Sequence, residues 1–131
     1  MHTYIDKKSP ELTYAGIAAL KQSYVDAGQN VLLVDAGDHI QGTAYGSMDD
    51  GETIIKLMSE AGYDLATPGN HEFDYGMARA KAAMKEAAFP YVSCNWVDLR
   101  TGLKVLPSIK IFTIGGARIA FVGVTTPETF T

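Results

Sequence analysis

Apolar positions along this 131-residue chain change spacing several times, and each change marks an element. Leu12, Ala15, Gly16, Ala19 and Ser23 recur at helical spacing, as do Ile17, Leu20 and Tyr24. Ser9-Pro10-Glu11 supplies a cap, a proline at the first helical position and a first-turn acid, and Gly28 a stop. The pattern therefore predicts a helix from Ser9 to just before Gly28. Val31-Leu32-Leu33-Val34 is a continuous apolar run, as in a parallel strand buried on both faces. A polar loop from His39 to Gly51 should follow. A helix over 52–61 comes next, with Ile54, Ile55, Leu57 and Met58 apolar and Gly62 ending it. Residues 64–68 read as a short strand and 69–76 as a loop. Residues 77–88 are rich in alanine and lysine, hence helical by propensity. Tyr91–Cys94 is the next expected strand. Ile109–Ile114 and Arg118–Val124 flank Gly115-Gly116, the signature of a hairpin.

Strands alternating with helices imply an α/β sheet with crossover helices. In such sheets the loops after the carboxyl ends of strands build ligand sites. The chain stops at Thr131, in a loop just after a strand, so it is expected to be part of a domain rather than a finished one. No internal repeat, low-complexity segment or linker divides it.

Composition narrows the function. Hydrophobic residues make up 47% and charged residues 20%, enough apolar content for a real core. The net charge of −4 and the lack of a basic stripe argue against nucleic-acid binding. An acidic protein that handles phosphate needs local positive charge, which metal ions can supply. Cys94 is the single cysteine, so neither an internal disulfide nor a multi-cysteine zinc site can form. Its apolar strand predicts an inert, buried thiol. No apolar stretch approaches the roughly 20 residues that span a bilayer. Met1–Pro10 lacks the apolar core of a signal peptide, although an export signal could precede the present start.

The candidate chemistry falls at strand ends. Asp38 follows the first strand; Asn70, His71 and Asp74 follow the second. Aspartate, asparagine and histidine suit divalent ions of intermediate hardness. A histidine with an aspartate three residues on can act as an oriented proton donor. Each residue also has a plainer reading. Asp38 could cap a turn, Asn70 could occupy a left-handed turn position, and His71 and Asp74 could form a local loop bond. Glu72 reads as structural, pairing with or capping the following helix, and Phe73 as core. His39 reads as a solvated loop histidine. Asn95-Trp96 fits pocket lining and a strand-end turn equally well. No Gly-x-Gly-x-x-Gly or phosphate loop follows any strand, which argues against a generic nucleotide-binding module.

Two boxes make the reading specific. Gly37-Asp38-His39-Ile40-Gln41-Gly42 and Gly69-Asn70-His71-Glu72-Phe73-Asp74-Tyr75-Gly76 resemble those of the 5′-nucleotidase branch of the calcineurin-like metallophosphoesterases. The resemblance implies a layered α-β-β-α fold with two mixed sheets inside and helices outside. It would be incomplete here, with the first strand and the C-terminal half missing, so that residues 1–131 form a partial catalytic domain. It implies hydrolysis of phosphate esters, nucleotides above all, at two divalent ions (Zn, Mn, Mg, Co or Fe). Asp38 would bridge the metals and Asn70 would bind the second. His71 and Asp74 would form the catalytic dyad, and His2 would be a remnant of a first Asp-x-His box whose Asp falls before Met1. Later histidine boxes should lie beyond Thr131. The fragment is therefore expected to bind metal weakly or not at all and to show little or no phosphatase activity. The alternative is an inactive domain that folds and self-associates through exposed strand edges. The resemblance also implies export of the intact protein.

Overall fold

The computed structural model describes residues 13–127. Helix α1 (Tyr14–Asp26) starts later than the sequence pattern suggests. Thr13 is its cap, in an extended conformation, and the Thr13 Oγ1 accepts the Gly16 N–H at 3.1 Å. Ser9-Pro10-Glu11 lies outside the described residues. The helix closes with the Gln29 N–H on the Tyr24 carbonyl and the Gly28 N–H on the Val25 carbonyl, both at 2.9 Å.

Strand β1 (Val34–Asp35) is shorter than expected, and Val34 is 42% exposed rather than buried on both faces. It pairs in parallel with β2 (Leu65–Ala66), with Val34 opposite Leu65 and Asp35 opposite Ala66. Between them lie α2 (Ala44–Ser47), one helical turn inside the segment read as loop, and α3 (Glu52–Glu60). Ile54, Ile55 and Met58 form the buried face of α3, as the periodicity indicates. A 3₁₀ turn (His71–Phe73) and α4 (Met77–Glu86) follow. The expected strand at Tyr91–Cys94 joins the sheet through one parallel bridge, Ala66 to Tyr91. The Cys94 N–H then reaches the Gly123 carbonyl at 2.8 Å, linking the sheet to the hairpin of β3 (Ile109–Ile114) and β4 (Ala117–Val122). Cys94 itself is a free, half-buried thiol rather than a fully buried one.

The core lies under the carboxyl ends of β1 and β2. Edge-on and tilted rings run Tyr14–Tyr63–Phe89–Tyr91–His39, with centroids 5.4 to 6.5 Å apart. This row reaches from α1 to the loop after β1. Lys21 ties α1 to the sheet, its ammonium 2.6 Å from Asp64 Oδ2, which also accepts the Leu33 N–H at 2.8 Å.

Candidate active site

Two loops leave the sheet side by side, 36–43 after β1 and 67–76 after β2. They touch backbone to backbone. A Cβ on Gly37 would stand 2.3 Å from the Gly69 nitrogen, and one on Gly69 would stand 2.2 Å from Asp38 Oδ1. Real Cβ atoms do not approach that closely, so glycine at both positions is a condition of the contact. Glu72 locks it. This carboxylate is 3% exposed and accepts the N–H groups of Asp38 at 2.7 Å, His39 at 2.8 Å and Gly69 at 2.6 Å. Glu72 is structural, as expected, but it braces the first box rather than the helix that follows it. Asp38 returns the contact by accepting the His71 N–H on Oδ1 at 3.0 Å.

The left-handed conformation falls to Asp38 and not to Asn70. Asp38 adopts the left-handed region, φ 60°, while Asn70 is right-handed, φ −77°, and heads the 3₁₀ turn. The turn-filling reading of Asn70 therefore fails on geometry. His71 Nδ1 lies 2.8 Å from Asp74 Oδ2, and Gln41 Nε2 donates to that same oxygen at 3.0 Å. The hydrogen bond to Asp74 raises the His71 pKa above its ordinary value. The His71–Asp74 pair is about one-third exposed and faces solvent.

His39 departs most from expectation. It is fully buried, with Nδ1 2.9 Å from Asp35 Oδ1 and Nε2 2.8 Å from the Tyr91 hydroxyl. Burial alone would push its pKa down; the Glu72 carboxylate and then Asp35 outweigh that and raise it. Burial, reinforced by the Glu72 and Asp35 charges, pushes the Tyr91 hydroxyl well up, so it stays protonated and able to donate. A neutral His39 ring donates to Asp35 and accepts from Tyr91; a protonated one donates to both.

Phe73 is half-buried rather than core. It meets Trp96 edge-on at 4.9 Å, on the wall of a cavity of about 300 Å³ that Asn95 and Thr125 also line. Asn95-Trp96 thus lines a cavity, though not one that Asp38, Asn70, His71 or Asp74 lines. The Asn95 amide also pins the chain after β4, accepting the Thr125 N–H at 2.8 Å and donating to its carbonyl at 2.6 Å.

The structure thus joins Asp38 to His71 and His71 to Asp74, with Asn70 next in the chain; His2 lies outside the described residues. The Asp38 carboxylate and the Asn70 amide suit a divalent cation in kind. In number they are a share of a site: among the described residues no group of three or more His, Cys, Asp or Glu could hold a metal ion. Sequence reasoning missed the roles of Gln41, Asp35 and Tyr91. Gln41 could have been found as the polar letter of its own box, whereas Tyr91 lies 52 residues from His39 and gave no local signal.

Comparison with known proteins agrees with this geometry. The family model for calcineurin-like phosphoesterases matches residues 7–130. A snake venom 5′-nucleotidase of Gloydius brevicauda is 38% identical over 125 residues, 88% of this chain and 21% of that protein. A 5′-nucleotidase of Vibrio vulnificus is 36% identical over 102 residues, 78% of this chain and 18% of that protein. The crystal structure of a 5′-nucleotidase precursor from Thermus thermophilus superposes with a TM-score of 0.77 at 34% identity, covering 89% of this chain and 24% of that one. The chain therefore spans roughly a fifth of the curated relatives' length, 21% and 18% in these two.

Proposed function

As the chain belongs to the calcineurin-like phosphoesterases, in the branch of the 5′-nucleotidases, we propose that it forms part of a catalytic domain that hydrolyses phosphate esters, nucleotides first among them. The family is one of hydrolases, and metal dependence goes with it. The observation that carries the reading is the contact between the two loops. Asp38 accepts the His71 N–H at 3.0 Å while the His71 ring is held by Asp74 at 2.8 Å. A carboxylate suited to a cation and a candidate proton donor are thereby held one hydrogen bond apart.

In this reading Asp38, Asn70 and His2 are this chain's share of the ligands of a two-ion site (Zn, Mn, Mg, Co or Fe). The remaining ligands come from elsewhere in the protein. Bound ions would supply positive charge to the phosphoryl oxygens and an ionised water. The chain's own residues do the rest. Asp74 fixes the His71 ring and favours its protonated form, which suits it to donate a hydrogen bond or a proton to the departing oxygen. Glu72 keeps both loops in place. The snake venom relative, a venom component by its name, favours export of the intact protein. Among the described residues no helix is long and apolar enough to cross a membrane.

Asp38, Asn70 and His2 are too few to hold a metal pair, so the 131 residues alone should be close to inactive, and self-association without turnover is the second reading. The test is release of phosphate from nucleoside monophosphates and from a generic phosphate ester with added manganese. Activity is expected in a protein that supplies the missing ligands, abolished by His71→Ala. Turnover there that is indifferent to His71→Ala would overturn the dyad. Turnover by the 131 residues alone would overturn the donor-count argument.

A further inference from the structure

We propose that Gln41 is the positioning residue for His71, acting through Asp74, and that Gly42 sets its orientation. The inference rests on the proposed role of the His71–Asp74 pair and adds a residue to it. Gln41 lies at the end of the first box, 33 residues before Asp74. Its amide has one orientation that satisfies both neighbours. Oε1 accepts the Gly42 N–H at 2.9 Å, and Nε2 donates to Asp74 Oδ2 at 3.0 Å. Rotating the amide by half a turn would set an N–H₂ against the Gly42 N–H and an oxygen against the carboxylate, losing both bonds.

Gly42 brings its N–H to that oxygen with φ 128°, a conformation closed to residues with a side chain. The relay is therefore Gly42 N–H to Gln41, Gln41 to Asp74, Asp74 to His71. Each link removes a freedom that the next would otherwise keep. Asp74 is about one-third exposed, and alone its carboxylate could rotate between staggered positions and release the ring. Held by Gln41, Oδ2 stays where it receives the His71 Nδ1–H at 2.8 Å. The neutral ring is then confined to the Nδ1–H tautomer, with Nε2 as its unprotonated nitrogen. The contribution of Gln41 to the ring is geometric, because it runs through Asp74.

The experiment reads the ring itself. Long-range ¹H–¹⁵N correlation spectra of the 131-residue chain at alkaline pH, with the imidazole neutral, should show His71 as a single Nδ1–H tautomer. Gln41→Leu should lose that single tautomer, the two ring-nitrogen shifts moving toward each other as the forms exchange. The backbone amide spectrum away from 41–42 and 71–74 should stay unchanged. Gln41→Glu, which keeps the length but cannot donate, should behave as Gln41→Leu does. A merely structural role would move the amide spectrum or the melting temperature and leave the tautomer alone. An unchanged ring signature in either variant would overturn the proposal. So would Gly42→Ala disturbing the ring while Gln41→Leu does not, because the backbone and not the amide would then be in control. Absence of metal-dependent turnover, by contrast, would count against the proposed function and leave the tautomer result intact.

Discussion

Glu72 accepts the backbone N–H of Asp38 at 2.7 Å across 34 residues of sequence, and this bond fixes the distance between the two loops of the candidate site. The same buried carboxylate takes the N–H groups of His39 and Gly69 and, at 3.5 Å, that of Ile40. Removing it would leave the buried His39 N–H and the partly buried N–H groups of Asp38 and Gly69 without this acceptor, each costing about 1–3 kcal/mol. Glu72→Ala should therefore destabilise the chain by at least ~3 kcal/mol, measured as a fall in the urea midpoint. Glu72→Gln keeps the shape but turns an N–H₂ toward the donors, and should lose roughly half as much. A Glu72→Gln variant as stable as the wild type would show that charge and acceptor count do not hold the loops.

The glycine contact makes a separate prediction. Gly69→Ala would drive a Cβ to 2.2 Å from Asp38 Oδ1 and 2.8 Å from the Asp38 nitrogen, so the loops must part. The expected cost is ~2–4 kcal/mol, in the range of overpacking with backbone shift. Gly28→Ala is the control. Its φ of 74° is left-handed, unlike that of Gly69, but nothing lies within 4 Å of the new Cβ, so only the conformational cost of about 1 kcal/mol applies. Thermal melts of the two variants should separate clearly; equal shifts would refute the close approach.

How much of this was legible in the sequence depends on how local the cause is. The buried face of α3 is written as Ile54, Ile55 and Met58 at helical spacing, and it lies where that spacing puts it. The two boxes were legible because each is a contiguous run. β1 was not, because a two-residue ladder is set by its partner and not by the apolar run 31–34. The burial of His39 was invisible for the same reason. A histidine in a polar loop looks solvated until Asp35 and Tyr91, from two different segments, take both of its ring nitrogens. The Thr13 cap was not legible because its hydroxyl is fixed by where the chain turns to reach the Gly16 N–H; the Ser9 cap lies outside the described residues.

Asp35 predicts the acid limb of the stability curve. Burial pushes its carboxyl up, but the hydrogen bond from His39 and the His39 charge, with the Gly37 N–H, outweigh that and hold it below its ordinary value. A depressed folded pKa means stability that is present above the unfolded value, about pH 3.9, and lost as pH falls through the folded value. His39, Tyr91, Tyr14 and Tyr63 are titratable groups that feel this carboxylate, and Glu72 reaches it through His39. Asp35→Asn should cost on the order of 1–3 kcal/mol at neutral pH and flatten the acid limb, so that the two curves converge at low pH. Urea unfolding of both forms between pH 2 and 7 measures the difference; parallel curves would exclude Asp35 as the source.

The hairpin predicts self-association. Ile109 stands opposite Val122 and Ile111 opposite Ala120, so these four side chains share one face of the β3–β4 ribbon. That face is open: Ile109 is 46%, Ile111 45% and Val122 58% exposed. Among the described residues β3 pairs only with β4, leaving its outer edge with unpaired N–H and C=O groups. An apolar face beside an unpaired edge is a template for a second strand. The 131-residue chain should accordingly sediment as a concentration-dependent mixture of monomer and dimer. Ile111→Lys places a charge in the middle of that face without entering the core. It should shift the mixture toward monomer and change the stability of the dilute protein by less than about 1 kcal/mol. A clean monomer at high concentration in the unaltered chain would show that the open face is not used between copies.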